Sequence, residues 1–144
     1  MTFDEVLTKI QRSCNSGRAL RFEAMSALAE LPNYSWCGVY RLEGDMLLLD
    51  EYVGEATDHT EIPVGRGVCG TAVAEDTNQV IKDVRELSNY LSCSFKTRSE
   101  IVVLIKREGI TLGQLDIDGH EVGAFGVDDE AFLESLAGLL AERW

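Results

Sequence analysis

The spacing of apolar residues changes along the chain. Phe3, Val6, Leu7 and Ile10 recur at helical spacing and predict one apolar stripe on an opening helix. Thr2 followed by Glu5 is a capping-box signature at its start. "NSGR" interrupts this pattern, and Leu20, Met25, Leu28 and Leu31 carry a second amphipathic helix that Pro32 ends. From Trp36 the pattern changes to strands. "WCGVYRL", the turn "EGD" and "MLLLDEYVG" read as a hairpin. After the glycine-rich "IPVGRGVCG" come a short helix, "TAVAEDT", a short strand, "QVIKDV", and the irregular "RELSNYLSCSFKTRS". "EIVVLIKR", the turn "EG" and "ITLGQLDIDG" form a second strong hairpin. Residues 127–144 close the chain as a helix, with Phe132, Leu133, Leu136, Leu139 and Leu140 on one side and "VDDE" at its positive end. Hairpins in the middle and helices at both ends predict an α+β fold, a central and mostly antiparallel sheet with the terminal helices packed on one face. No repeat or linker breaks the pattern, so residues 1–144 are expected to form a single domain.

Charge narrows the partners. The 144 residues carry 13 Lys and Arg against 25 Asp and Glu, a formal charge of −12. Nucleic acid and anionic membranes both require a basic face, so neither is an expected partner. A cationic or zwitterionic small molecule fits better, although most of the acids serve solubility. No run approaches the roughly 18 apolar residues that span a bilayer. "MTFDEVLTKIQ" is acidic and helical in period, unlike a signal peptide, and a cytoplasmic location is expected.

Four cysteines, Cys14, Cys37, Cys69 and Cys93, form no C-x-x-C pair, and neither His59 nor His120 lies near a pair of them. A structural zinc site is therefore not expected. Cys69 falls near the start of the short helix, where the dipole favours thiolate; alternatively it packs a helix N-terminus as a small hydrophobe. "GRGVCG" has neither phosphate-loop nor dinucleotide spacing, and its glycines suit positive φ and close backbone approach. Cys93 sits in a polar segment with Lys96 and Arg98 behind it, a setting that also favours thiolate.

Asp116 and Asp118 are two apart on a strand, so they share a face and lie roughly 7 Å apart. Ile110 and Leu112 are expected on that face too. Antiparallel pairing can bring Glu100 beside the two aspartates. Three converging carboxyls suit an amine, a metal or a proton donor of raised pKa; the alternative is a solvated strand end with its acids in water. A calcium loop is not spelled out. Trp36 and Tyr40 also share a face, where they line a pocket or belong to the core.

The segments "SWCGVY", "IPVGRGVCGTAVA", "SCSFKTRSEIVV", "LGQLDIDG" and "FGVDDEAFLESLA" occur in the order and spacing of the free methionine-(R)-sulfoxide reductases, and the chain resembles that family of stand-alone GAF domains from about Leu20 to Leu140. The resemblance implies a GAF fold and reduction of the free amino acid methionine sulfoxide. It implies that Cys93 attacks the sulfoxide sulfur and becomes a sulfenic acid, with Cys69, Glu100 and Asp118 also catalytic. Asp116, Trp36 and Tyr40 would bind substrate. No metal or cofactor is implied. A thioredoxin-type reductant is the implied partner, and GAF domains often form homodimers through their terminal helices. The family usually carries a further cysteine shortly before "IPVGRGVCG"; here "GEATDHTEIP" has none and His59 or a neighbour takes its place. Either Cys69 resolves Cys93, or an external thiol does, or efficient turnover is lost. Cys14 and Cys37 match no family position and are expected to be structural. The competing reading is a non-catalytic GAF domain that senses a small amine-bearing ligand for a separate protein.

Overall fold

The computed structural model describes residues 1–87 and 95–144. Helix α1 (Phe3–Arg12) opens on the expected capping box, with Glu5 N–H donating to Thr2 Oγ1 and Thr2 N–H to Glu5 Oε1, both at 3.1 Å. Helix α2 (Gly17–Leu28) stops before the expected Pro32. A residue preceding proline is pushed out of helical geometry. The chain accordingly tightens into i→i+3 bonds, from Glu30 N–H to Ala27 O and from Leu31 N–H to Leu28 O.

Strands β1 (Trp36–Glu43), β2 (Met46–Val53), β3 (Glu61–Pro63), β4 (Gln79–Ile81), β5 (Ser99–Arg107) and β6 (Ile110–Gly119) form one sheet in the order β3-β2-β1-β6-β5-β4. Every pairing in it is antiparallel. Between β3 and β4 lies α3 (Gly67–Glu75), and α4 (Val127–Glu142) follows β6. The α+β expectation stands, with four local corrections. Strand β3 was not expected. Helix α3 begins four residues earlier than the apolar pattern shows, because positive φ at Gly65 and Gly67 turns the chain directly into it. "QVIKDV" is strand only through Ile81 and ends in a 3-10 turn at Val84–Glu86. Cys14, expected to be structural, is exposed.

The two sheet faces differ. Alternate residues Val39, Ile101, Val103, Ile105, Leu115 and Ile117 pack against Val6 and Ile10 of α1, Leu20 and Leu28 of α2, and Phe132, Leu133 and Leu136 of α4. The terminal helices therefore cover one face, as expected, and hold the main core. The opposite residues, Trp36, Tyr40, Val102 and Leu104, meet Val68, Cys69 and Ala72 of α3. A β-bulge separates Ile105 and Lys106 in the β5–β6 register, leaving Leu112 out of the ladder. The bulge changes the alternation, so Leu112 packs with the helix-covered core and Ile110 is exposed, contrary to the expectation that both share a face with the aspartates. Among the described residues no helix is long and apolar enough to cross a membrane.

Candidate active site

On the α3 face the register aligns side chains in rows across the strands. Trp36 of β1 pairs with Asp118 of β6, which pairs with Glu100 of β5. Gly38 pairs with Asp116, which pairs with Val102; Tyr40 pairs with Gln114, which pairs with Leu104. Glu100, Asp116 and Asp118 thus converge, as the strand alternation requires. The solvated alternative is excluded by their burial, since they are 2%, 1% and 1% exposed.

Helix α3 closes over them. Cys69 lies in its first turn, 5% exposed, and its thiol is directed at Glu100 Oε2, 3.9 Å away. The helix start at Cys69 therefore faces buried acid rather than solvent. Gly70 allows this approach: a Cβ there would stand 2.5 Å from Pro63 O. Gln114, 0% exposed, donates from Nε2 to Cys69 O at 3.0 Å and ties the first turn to the sheet. Sequence reasoning passed over Gln114. Its signal was its parity, a polar residue two before Asp116 on the same strand face.

Burial and the charges of Asp116 and Asp118 raise the Glu100 carboxyl well above its ordinary range; a hydrogen bond with Asp116 adds to the rise and Cys69 opposes it. Burial also raises Asp116, against the hydrogen bonds of Glu100 and Cys69 and the charge of His59. Glu100 is the group that keeps a proton. Glu100 Oε1 and Asp116 Oδ1 have no hydrogen-bond partner among the described residues, and no described lysine or arginine forms an ion pair with either. A group such as an ammonium or a metal cation would satisfy these oxygens.

The aromatic pair brackets this patch. Trp36 is buried, donates from Nε1 to Glu55 O at 2.9 Å and stacks on Tyr52 at 5.5 Å. Its indole lies over its own strand because position 38 is glycine; a Cβ there would stand 2.3 Å from the ring. Tyr40 is fully buried and donates from its hydroxyl to His59 O at 2.8 Å. Tyr40, His59, Arg66, Cys69 and Asp116 are among the residues lining a cavity of about 10 Å³, room for a single water molecule. Of the sequence-expected set, Cys69, Glu100, Asp116, Asp118, Trp36 and Tyr40 share this one face. Cys93 lies outside the described residues. Lys96, expected to lend it positive charge, pairs with Glu55 at 3.5 Å. Cys37 is on the opposite face, fully buried, its Sγ 3.9 Å from Tyr34 O.

Comparison with known proteins places this geometry. The GAF domain family matches residues 3–144. The chain is similar to the free methionine-R-sulfoxide reductase of Escherichia coli, 40% identical over 76% of this chain and 66% of that protein, so the match spans just under two thirds of that relative's length. It is 36% identical to the Saccharomyces cerevisiae free methionine-R-sulfoxide reductase, over 88% of this chain and 72% of that one. The crystal structure of the Neisseria meningitidis free methionine-R-sulfoxide reductase with its substrate superposes with a TM-score of 0.91 at 33% identity, covering 98% of this chain and 87% of that one.

Proposed function

The chain belongs to the GAF domain family and, within it, to the free methionine-R-sulfoxide reductases, and we propose that it reduces free methionine-(R)-sulfoxide to methionine with the thiol of Cys93. The observation that carries the reading is a proton-holding carboxyl, Glu100, buried beside two further acids and a thiol under α3. Attack by a thiolate on a sulfoxide sulfur needs the oxygen to gain a proton as electrons arrive. A neutral carboxylic acid in a dry site supplies it. In the proposed cycle Glu100 donates to the sulfoxide oxygen with Asp118 beside it, and Asp116 holds the substrate ammonium. That charge is absent from a methionine residue within a protein, which accounts for choice of the free amino acid. Trp36 and Tyr40 wall the end that takes the sulfoxide methyl.

The balance is simple. The oxygen passes from substrate sulfur to Cys93, which goes from thiol to sulfenic acid while methionine leaves. A second thiol, Cys69 or an external one, condenses with it and releases water; a thioredoxin-type dithiol then restores the thiols. We place this work in the cytoplasm, where such reductants keep cysteines reduced, and in a single domain over residues 1–144, in a homodimer formed through the terminal helices.

Single turnover tests the reading. Fully reduced protein is mixed with free L-methionine-(R)-sulfoxide without added reductant, and methionine formed and thiols lost are counted by mass spectrometry. One methionine per chain with a Cys69–Cys93 disulfide identifies Cys69 as the resolving thiol. One methionine with a sulfenic acid at Cys93 identifies an external one. Bound sulfoxide with no methionine formed refutes the reductase and supports the sensing role that the missing cysteine before "IPVGRGVCG" would favour.

A further inference from the structure

Two features of the α3 face remain after its acid chemistry is accounted for. One is the oxygens Glu100 Oε1 and Asp116 Oδ1, without a hydrogen-bond partner among the described residues and on residues 2% and 1% exposed. The other is the thiol that shares their space: a sulfur of Cys69 and one oxygen each of Glu100 and Asp116 all lie within 4.8 Å of one another. We propose that the reduced protein binds one Zn²⁺ here, on Cys69 Sγ, a Glu100 oxygen and an Asp116 oxygen, with water as the fourth ligand.

The geometry is close to what the ion needs. Tetrahedral zinc holds sulfur at about 2.3 Å and carboxylate oxygen at about 2.0–2.2 Å, which sets its ligands roughly 3.3–3.7 Å apart. Cys69 Sγ and Glu100 Oε2 stand 3.9 Å apart already. The three donors come from three elements, α3, β5 and β6, and Gln114 ties the first turn of α3 to the sheet at 3.0 Å. The donor set selects the metal class. One thiolate and two carboxylates suit a borderline cation, whereas calcium takes 6–8 oxygens and magnesium a near-ideal octahedron of them. The absence of C-x-x-C spacing in the sequence argues only against a site built on one loop; this one is assembled by strand register.

Binding exchanges protons for metal, since Cys69 and the protonated carboxyl must both ionise. Affinity therefore rises with pH, and oxidation of Cys69 expels the ion. The metal site does not rest on the reductase reading, because it is measured without sulfoxide.

The test uses the full chain carrying Cys14→Ser and Cys93→Ser, so that neither thiol contributes, reduced and freed of metal with a chelator. Titration with Co²⁺ as the probe, then displacement by Zn²⁺ against a chromophoric chelator, is expected to show one equivalent. Tetrahedral Co²⁺ bands and a thiolate-to-cobalt charge-transfer band are expected to appear, then vanish on Zn²⁺ addition. Adding Cys69→Ser is expected to abolish the charge-transfer band. Glu100→Gln and Asp116→Asn, which keep shape and remove an ionisable ligand carboxyl, are each expected to lower Zn²⁺ affinity at least 10-fold, the smallest loss seen even for groups that merely support metal ligands. A charge-transfer band that survives Cys69→Ser, or unchanged affinity in both carboxyl variants, overturns the proposal.

Discussion

Replacing Glu100 with glutamine is expected to make the protein's stability less sensitive to pH, in a direction fixed by the burial of this one group. Burial and the charges of Asp116 and Asp118 raise the Glu100 carboxyl well above 4.5. The folded protein therefore keeps a proton that the unfolded chain releases. The stability this group contributes is fully present below about pH 4.5 and is lost as pH rises, by up to about 1.4 kcal/mol per pH unit, until the folded carboxyl ionises. Between about pH 4.5 and neutrality the loss reaches at most roughly 3.5 kcal/mol, a large share of the 5–15 kcal/mol typical of a domain. Glu100→Gln keeps the shape, still donates to Asp116 and cannot titrate. Urea unfolding of both proteins, followed by tryptophan fluorescence at steps from about pH 5 to about pH 8, gives the difference directly, because titrations common to both proteins cancel. The variant is expected to gain on the wild type at each step upward. A constant difference over the whole range, or a variant that loses ground, would show that Glu100 ionises in the fold as readily as in the open chain.

Four further outcomes follow from the packing. Gly70→Ala places a methyl 2.5 Å from Pro63 O and is expected to cost about 1–3 kcal/mol in urea unfolding while displacing Cys69. Gln114→Leu releases the 3.0 Å tether to Cys69 O; stability is expected to change by less than about 1.5 kcal/mol, while sulfoxide turnover falls on the order of 10-fold from lost positioning. Thr2→Ala removes one half of the capping box and is expected to cost about 0.5–2 kcal/mol, read as a lower midpoint in thermal melting. In native protein a thiol-alkylating reagent is expected to label exposed Cys14 promptly and to reach Cys37 only on unfolding, because Cys37 is fully buried and its thiol is raised by burial and by the charges of Asp118 and Asp116.

What could be read beforehand depended on periodicity. The long strands β1, β5 and β6, rich in apolar and β-branched residues and each flanked by a short turn, were legible, and with them the shared face of Asp116 and Asp118 and the arrival of Glu100 beside them. The capping box of α1 was legible because it is a local pattern of two residues. Features set by backbone geometry were not. The start of α3 hides in glycines that carry no hydrophobic signal, so the depth at which Cys69 is inserted could not be foreseen. The bulge at Leu112 reverses the alternation on which the placement of Ile110 and Leu112 rested. Gln114 has the right parity, but its value depends on which helix lies above it.

The division between the two sheet faces explains how three acids can be buried at all. Burying a carboxyl without a partner costs a few kcal/mol or more unless it keeps its proton. Here the helix-covered core, with Val6, Leu20, Leu28, Phe132, Leu133 and Leu136 against Val39, Ile101, Val103, Ile105, Leu115 and Ile117, is free of such groups among the described residues and can stabilise the fold on its own face. On the α3 face Glu100 and Asp116 have no lysine or arginine ion pair among the described residues, and a proton on Glu100 is only one way to offset their charge. A substrate ammonium or a zinc ion offsets the same charge, so each must displace or share that proton. The three occupants are linked through one carboxyl. Any cation that enters becomes a better competitor as pH rises, and any isosteric substitution that removes the ionisable Glu100 carboxyl weakens the metal while leaving the fold more stable at neutral pH. A variant that lost zinc affinity and stability together would break that link, because it would mean the acids are held by interactions other than their shared proton.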